Sequence, residues 1–280
     1  MPIPTGKARV AGVLGWPVAH SRSPRLHGFW LDRFGIDGAY IPLPTRPEAF
    51  ASAVRGLRDA GFAGANVTLP HKEAAFALCD TVEPTASRAG AVNTLVFRDG
   101  RIVGSNTDGF GFIADLRAHG IEPAAGPALV LGSGGATRAV AAALQDAGAA
   151  VSIAGRNAAR AGELAAELGL AAIRWEDRED ALADQAILVN ATTAGMIGQA
   201  PLAIDLSRAP GTLVVADLVY VPLETPLLRQ ARQAGLRALD GLGMLLHQAR
   251  PGFRAWFGVD PVVDEALYNF VAADLLPSAS

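Results

Sequence analysis

The sequence has 280 residues, of which 50% are hydrophobic and 18% charged, with a formal net charge of −3. This length predicts about two domains, and the composition excludes wholesale disorder and gives no general basic surface for nucleic acid. A single cysteine excludes a disulfide framework and indicates a reducing compartment.

Strand and helix signals alternate through the first third of the chain. Three helices are predicted, and they begin at Ser23, near Pro47 and near Pro70. Ser23 would cap the first of them. Asp99–Gly100 is a dipeptide typical of a hairpin turn between two strands. The predicted strands lie at 10–14, 39–43, 65–68, 92–97 and 101–105. We therefore predict a mixed, mostly parallel sheet that contains one hairpin.

A second α/β run follows a predicted helix at 107–119 and a short linker rich in proline and glycine at 122–127. Its predicted strands lie at 128–131, 151–154, 187–190 and 213–217, and its helices at 136–147 and 158–168. Such alternation is typical of right-handed βαβ units in a doubly wound sheet. Two further helical stretches are predicted in the tail, at 242–248 and 262–275.

A glycine-rich turn connects the strand at 128–131 to the next helix. Glycine lets the backbone turn tightly and approach a pyrophosphate, while the free N–H groups at the start of the helix bind its oxygens. Thr137 replaces the third glycine of the dinucleotide-binding pattern. The residues expected to hold the phosphates are Gly132, Ser133, Gly134, Gly135 and Ala136.

The end of the next strand indicates which dinucleotide binds. An NAD site carries Asp or Glu about 20 residues after the glycines, where it accepts a hydrogen bond from the ribose. This chain has Arg156 and Asn157 there, and Arg160 follows one helical turn later. Because arginine can pair with a 2′-phosphate through two hydrogen bonds, we predict NADP, with a solvated surface arginine as the simpler alternative.

Polar side chains also follow two strands of the first sheet. Lys72 comes after the strand at 65–68, and Asp108 comes after the strand at 101–105. Ligands bind at the carboxyl ends of strands in such sheets, so these residues form a candidate pair for proton transfer. Taken singly, an exposed lysine and a helix-capping aspartate are simpler explanations. The five histidines and Cys79 show no metal-ligand spacing, so no metal is expected.

Seven segments, in order along the chain, resemble signatures of the shikimate dehydrogenase family. They are residues 15–27, 66–72, 91–94, 106–109, 190–196, 217–222 and 240–248, which read GWPVAHSRSPRLH, NVTLPHK, AVNT, NTDG, NATTAGM, DLVYVP and DGLGMLLHQ. The resemblance implies an oxidoreductase that reversibly reduces 3-dehydroshikimate to shikimate with NADPH. That reaction belongs to the biosynthesis of chorismate and the aromatic amino acids.

The resemblance also implies roles for individual residues. Lys72 and Asp108 resemble the catalytic pair of the family, and Lys72 would stabilise the charge that hydride transfer builds on the ketone oxygen and deliver a proton. The implied substrate-binding residues are Ser21 and Ser23, which hold the carboxylate, and Thr68, Lys72, Asn93, Asp108, Tyr220 and Gln248. The implied cofactor-binding residues are those of the glycine-rich turn, with Arg156, Asn157, Arg160, Thr192 and Gly241.

The family arrangement implies two α/β domains, because the C-terminal helices return to the first of them. The substrate-binding and catalytic domain would contain 1–107 and 241–280, and the NADP-binding Rossmann domain would contain 108–240. The uncharged stretch 185–204 holds too many polar residues for a membrane span. We therefore expect a soluble, cytoplasmic monomer or homodimer that binds a small-molecule substrate, with no nucleic acid or membrane partner.

Three alternatives stay open at this point. The first is a NAD-linked quinate/shikimate dehydrogenase, against which the missing acid near Arg156 argues. The second is a non-catalytic NADP-sensing protein, which would not need Ser21, Ser23, Lys72 and Asp108 together. The third is a relative that acts on another small hydroxy or amino acid and would differ at the carboxylate-holding serines.

Overall fold

The computed structural model describes residues 3–273 and residue 275. Contacts between residues divide the chain into two compact units. The first contains the described residues up to Thr107 together with Gln248–Val271, and the second contains Asp108–His247 together with the described residues from Ala272 onward.

This division and the sequence-based domain boundaries differ at the C-terminal side. Residues 241–247 group with the second unit, whereas the sequence analysis assigns them to the first domain. Residues 1–2, 274 and 276–280 of the predicted first domain lie outside the described residues. The predicted domain boundaries therefore stay a prediction.

The first unit is built on a six-stranded mixed sheet. Its strands are β1 (Arg9–Gly15), β2 (Gly38–Pro44), β3 (Gly64–Val67), β4 (Thr81–Val82), β5 (Thr94–Arg98) and β6 (Arg101–Ser105). The spatial order is β2-β1-β3-β5-β6-β4, with β1, β2 and β3 parallel and β5 antiparallel to both β3 and β6. A hairpin at Asp99–Gly100 joins β5 to β6, and both turn residues have positive φ. The mixed, mostly parallel sheet with one hairpin is thus confirmed.

Helices cover this sheet and bury its apolar side chains. They are α1 (Ser23–Arg33), α2 (Phe50–Asp59), α3 (Lys72–Leu78) and α4 (Pro84–Ala89). One core cluster joins Leu14 of β1 and Val67 of β3 to Phe50 and Val54 of α2. Burial of these side chains holds β1 and β3 in place, and the polar residues of the candidate site follow the ends of these strands.

The second unit is built on a six-stranded parallel sheet. Its strands are β7 (Ala128–Leu131), β8 (Val151–Ala154), β9 (Ala171–Ile173), β10 (Ile187–Asn190), β11 (Val214–Asp217) and β12 (Arg237–Leu239), in the order β12-β11-β10-β7-β8-β9. The helices that begin in this unit are α5 (Asp108–Ala118), α6 (Gly135–Asp146), α7 (Ala158–Leu168), α8 (Pro226–Gln233) and α9 (Gly241–Phe257). The strand order reverses between β7 and β10, which is where a doubly wound sheet binds its ligand.

Both faces of the second sheet are covered. Val130 and Val189 belong to the core on one face, whereas Leu129 and Leu188 belong to the core on the other. Because successive side chains of a strand point to opposite faces, a sheet buried on both sides reads as unbroken apolar runs. The high apolar content of the sequence follows from this architecture, and the predicted doubly wound Rossmann sheet is confirmed.

The prediction that Ser23 caps the first helix is wrong. Ser23 is the first residue of α1, the preceding Arg22 takes the cap position, and no side chain makes a capping hydrogen bond there. The predicted tail helix at 262–275 is shorter in the structure, where α10 spans Glu265–Ala272. Four short elements, β4, α4, β9 and β12, and the longer α8 have no counterpart among the predicted elements.

The uncharged stretch 185–204 contains β10 and part of the loop that follows it. All four residues of β10 are buried in the parallel sheet. Among the residues that the structure describes, no helix is both long enough and apolar enough to cross a membrane.

Candidate active site

The substrate side of the candidate site begins at the carboxyl ends of β1 and β3, which are neighbouring parallel strands. Ser21 and Ser23 follow β1, and the Ser23 N–H donates a hydrogen bond to Ser21 Oγ at 3.3 Å. Thr68 and Lys72 follow β3, and the methyl group of Thr68 lies 2.5 Å from where a Cβ of Gly15 would be. Only glycine therefore lets the Thr68 side chain pack across the end of β1.

A hydrogen-bond network connects β2, β3 and β5. The hydroxyl of Tyr40, on β2, donates to Asn66 Oδ1 at 2.6 Å, and Tyr40 also lies close to the Ser23 side chain. Burial raises the pKa of Tyr40 well above its usual value, so the hydroxyl keeps its proton. Asn66 Nδ2 in turn donates to the Asn93 carbonyl oxygen at 3.2 Å and to Thr94 Oγ1 at 3.1 Å.

Asn93 is the centre of a second group of contacts, and it is 3% exposed. Its Oδ1 accepts hydrogen bonds from Thr94 Oγ1 at 2.9 Å and from the Thr107 N–H at 2.9 Å. Its Nδ2 donates to Gln248 Oε1 at 3.2 Å. Two predicted substrate-binding residues, Asn93 and Gln248, are thus brought together from distant parts of the chain.

His27 packs behind the same network. Its ring is fully buried and stacks on Tyr40 with the ring centroids 3.9 Å apart. Burial lowers the pKa of His27 to about 3, so the imidazole is neutral at physiological pH. The rings of Trp30, Phe253 and Trp256 surround it. His27 therefore holds the Tyr40 ring in place, and neither residue was predicted as part of the site.

The predicted catalytic residues lie at the starts of two helices. Lys72 is the first residue of α3, and its carbonyl oxygen accepts a hydrogen bond from the Val92 N–H at 3.0 Å, next to Asn93. Asp108 is the first residue of α5 and is 6% exposed. Lys72 falls in the first unit and Asp108 in the second, so their pairing stays a prediction.

The glycine-rich turn lies at the switch point of the second sheet, after β7. Gly132 has φ +131°, and a Cβ there would lie 2.5 Å from Thr137 Oγ1 and 3.2 Å from the Ala191 carbonyl oxygen. Only glycine fits this backbone and this space. Gly134 and Gly135 face open space instead, at an α6 start that has no side-chain cap. The turn can therefore accept a pyrophosphate on exposed N–H groups.

The arginines predicted to select NADP are exposed after β8. Among the described residues, neither Arg156 nor Arg160 makes a side-chain hydrogen bond or ion pair, whereas Arg138 pairs with Glu167 nearby. Asn157 Oδ1 accepts a hydrogen bond from the Arg160 N–H at 3.1 Å and so caps α7. Two guanidinium groups without side-chain partners among the described residues therefore lie at this strand end, where they can bind a phosphate group of a ligand.

A pocket of about 230 Å³ adjoins Arg156. It lies between the segment that follows β9 and the loop that follows β10. Its lining residues are Arg156, Trp175, Arg178, Thr192, Thr193, Ala194, Gln199, Ala200, Pro201, Leu202 and Ala203. Two of these residues carry a positive charge and none carries a negative charge. Apart from Arg156 and Thr192, none of them is a predicted site residue. Thr193 and Ala194 lie in the signature segment 190–196, and no local motif marks the others.

Thr192 is positioned by a network between the ends of β10 and β11. Asn190 Oδ1 accepts hydrogen bonds from the Thr192 N–H at 3.1 Å and from Thr192 Oγ1 at 2.7 Å. Asn190 Nδ2 donates to Asp217 Oδ1 at 2.9 Å, and Asp217 Oδ2 accepts from Thr225 Oγ1 at 2.7 Å. Burial raises the pKa of the Asp217 carboxyl to about 6, although these hydrogen bonds oppose the shift.

Tyr220 and Gly241 lie beside this network. Tyr220 is half-buried in the segment after β11, three residues beyond Asp217. Gly241 begins α9, and a Cβ there would overlap the Leu218 carbonyl group. The Gly241 N–H donates to the Val219 carbonyl oxygen at 3.3 Å. Glycine thus lets α9 begin directly against the loop that carries Tyr220.

Family models match both parts of the chain. A model of the shikimate dehydrogenase substrate binding domain matches residues 13–95, and a model of shikimate/quinate 5-dehydrogenase matches residues 120–218. The NADP(+) shikimate dehydrogenase of Acidiphilium cryptum is 65% identical over 272 residues, which cover 97% of this chain and 99% of that protein.

Solved structures show the same fold. Shikimate 5-dehydrogenase of Thermus thermophilus in complex with NADP(H) and shikimate is 43% identical, with a TM-score of 0.87 over 96% of this chain and 100% of that chain. A quinate dehydrogenase of Corynebacterium glutamicum in complex with NAD is 31% identical, with a TM-score of 0.87 over 95% of this chain and 99% of that chain.

Proposed function

This chain belongs to the shikimate dehydrogenase family, and we propose that it reversibly reduces 3-dehydroshikimate to shikimate with NADPH. One observation carries the proposal on the substrate side: Asn93 and Gln248 are hydrogen-bonded to each other, and Asn93 is also linked through Asn66 to Tyr40. A single connected set of neutral donors and acceptors suits a polyhydroxylated carboxylic acid.

The substrate is held through its polar groups. Ser21 and Ser23 are assigned to its carboxylate, which their hydroxyls bind as hydrogen-bond donors. Thr68, Asn93 and Gln248 are assigned to the ring hydroxyls, with Tyr220 near the reacting end. Tyr40 lies close to the Ser23 side chain, and its own hydroxyl is held by Asn66 before substrate binds.

Lys72 and Asp108 are assigned to the proton transfer. NADPH supplies the hydride that reaches the carbonyl carbon. Negative charge then builds on the carbonyl oxygen, where the Lys72 ammonium stabilises it and donates a proton to form the alcohol. Asp108 is assigned to accept a hydrogen bond from a ring hydroxyl of the substrate. In the reverse direction the neutral Lys72 amine takes the hydroxyl proton as hydride leaves.

NADP is assigned to the carboxyl edge of the second sheet. The glycine-rich turn, from Gly132 through Ser133, Gly134 and Gly135 to Ala136, would hold the pyrophosphate at the start of α6. Arg156 and Arg160 would pair with the 2′-phosphate, and Asn157 keeps the first turn of α7 capped. Thr192 and Gly241 would line the remaining cofactor path. The absence of side-chain hydrogen bonds and ion pairs on the two arginines within the described residues supports this assignment.

We extend the proposal to the organisation of the protein. The first domain, 1–107 with 241–280, would bind substrate, and the second, 108–240, would bind NADP. We expect a cytoplasmic monomer or homodimer with no nucleic-acid partner. The single Cys79 supports a reducing compartment, since no disulfide can form within one chain.

A steady-state comparison of shikimate and quinate, each with NADP and with NAD, tests the function. We expect shikimate with NADP to give the highest kcat/KM of the four combinations. A preference for quinate with NAD would support the first alternative and overturn the proposal. Binding of NADP without turnover of either acid would favour the non-catalytic sensor instead.

A further inference from the structure

The pocket beside Arg156 is lined by a second arginine, which the sequence did not indicate. Its lining carries two positive charges, on Arg156 and Arg178, and no carboxylate. Its volume of about 230 Å³ is below the range of roughly 300–1,000 Å³ that whole small-molecule ligands fill. The pocket therefore fits one anionic part of a larger ligand rather than a complete molecule.

The position of the pocket indicates which part that is. In a doubly wound sheet the pyrophosphate lies at the glycine-rich turn, and the adenosine ribose lies near the end of the next strand. That strand is β8, and Arg156 follows it directly. The walls opposite Arg156 come from the segment after β9 and from the loop after β10. The occupant is thus the adenosine end of the dinucleotide, which in NADP carries the 2′-phosphate.

Arg178 is held in one place by contacts on three sides. Its guanidinium lies over the Trp175 ring, 4.6 Å from the centroid, and Nη1 donates to the Trp175 carbonyl oxygen at 2.7 Å. Nη2 donates to the Ala203 carbonyl oxygen at 2.9 Å and to Glu179 Oε1 at 2.9 Å. These contacts join the two walls of the pocket, and they fix the positive charge of Arg178, whereas the exposed Arg156 side chain has no such contacts among the described residues.

Glu179 determines how the charge near the pocket changes when Arg178 is replaced. Its carboxylate is 36% exposed and pairs with Arg178 rather than lining the pocket. Without Arg178, that negative charge has no partner and repels a second phosphate nearby. A nucleotide without the 2′-phosphate carries less charge into this pocket and is affected less.

We propose that Arg178 is a second determinant of cofactor choice, which favours the 2′-phosphorylated nucleotide by fixing a positive charge in the pocket beside Arg156. This inference rests on the proposed function, since it takes NADP as the cofactor. Arg178 acts on binding of the adenosine end, so it should alter nucleotide preference without altering the chemistry at the substrate.

The test is calorimetric binding of 2′,5′-ADP and of ADP to the full chain, for the wild type and Arg178→Gln. We expect the variant to bind 2′,5′-ADP about tenfold more weakly and ADP within about twofold of the wild type. Arg174→Gln is the matched control, because Arg174 lies on the same segment, pairs with Asp177 and does not line the pocket. We expect it to bind both nucleotides as the wild type does.

If Arg178→Gln weakens the binding of both nucleotides equally, Arg178 only shapes the pocket and the proposal is overturned. Unchanged binding of both nucleotides would overturn it as well. Arg178→Lys covers the case in which Arg178→Gln does not fold. Lysine keeps the charge, so it should keep the preference for 2′,5′-ADP within about threefold of the wild type, and loss of that preference would contradict the charge argument. A wild type without any preference for 2′,5′-ADP would instead count against the NADP assignment itself.

Discussion

Asp217→Asn tests the network that positions Thr192. Asp217 is 1% exposed and accepts hydrogen bonds from Asn190, Thr225 and the Val219 N–H. Its carboxyl pKa is raised from 3.8 to about 6, because burial disfavours the charged form more than the hydrogen bonds favour it. Asparagine has nearly the same shape but does not titrate, so the variant removes the pH dependence of this one group.

The sign and size of the effect follow from the pKa shift. The folded state holds the Asp217 proton more tightly than the unfolded state, so this group favours folding most below about pH 4, the ordinary pKa of the side chain. That contribution is lost as the pH rises through about 6. A shift of about two units, at 1.36 kcal/mol per unit, corresponds to about 3 kcal/mol.

Urea denaturation of both proteins between about pH 4 and pH 8 measures the effect as a difference. We expect the free energy of unfolding of the wild type, minus that of Asp217→Asn, to fall by about 3 kcal/mol as the pH rises, since all other titrations cancel. Thr225→Ser keeps the hydroxyl donor and should follow the wild-type profile. A difference that stays constant, or one that rises with pH, would refute the assigned pKa shift.

Three further substitutions test the catalytic assignment, the cofactor assignment and the packing. Lys72→Ala should lower kcat by about 10²–10⁴ with little change in the KM for shikimate, and unchanged turnover would remove Lys72 from the mechanism. Arg156→Ala should raise the KM for NADP and leave that for NAD within about twofold; equal effects on both cofactors would contradict the 2′-phosphate assignment. Gly243→Ala should destabilise the protein by about 1–3 kcal/mol in thermal denaturation, because its Cβ would overlap the Asp115 carboxylate. Gly162→Ala, in the open middle of α7, is its control and should be neutral or stabilising.

The longer elements of the fold could be predicted closely from the sequence. The bounds of β7, β8, β10 and α7 match the predicted ranges, because each is an apolar run or periodic helix that ends at glycine or asparagine. The omitted strands β4, β9 and β12 have two or three residues each, too few for a periodic signal. α8 does carry a local signal for its start, because Thr225 caps it and Pro226 begins it.

The site residues were predictable only where a motif carries them. Tyr40 and Arg178 belong to no motif that marks them, and their roles come from partners far along the chain, such as Asn66 and Ala203. Ser23 shows the same limit, because a local rule predicts a helix cap, whereas its side chain makes no capping hydrogen bond and lies close to Tyr40. Local rules fail where a polar side chain has a buried, long-range partner that satisfies it better than the nearby backbone.

Each unit places a predicted binding threonine two residues after an asparagine, in the tripeptides Asn-Val-Thr and Asn-Ala-Thr. Asn66 and Asn190 each lie at the end of a strand and two residues before a predicted binding threonine, Thr68 or Thr192. Each asparagine both donates and accepts. Asn66 does so across its sheet, with Thr94 and Tyr40, whereas Asn190 donates across its sheet to Asp217 and accepts from Thr192 in its own loop. A neutral amide can satisfy both kinds of partner at once, so it fixes a strand end without burying a charge of its own. Few charged residues are therefore needed to build the two binding edges.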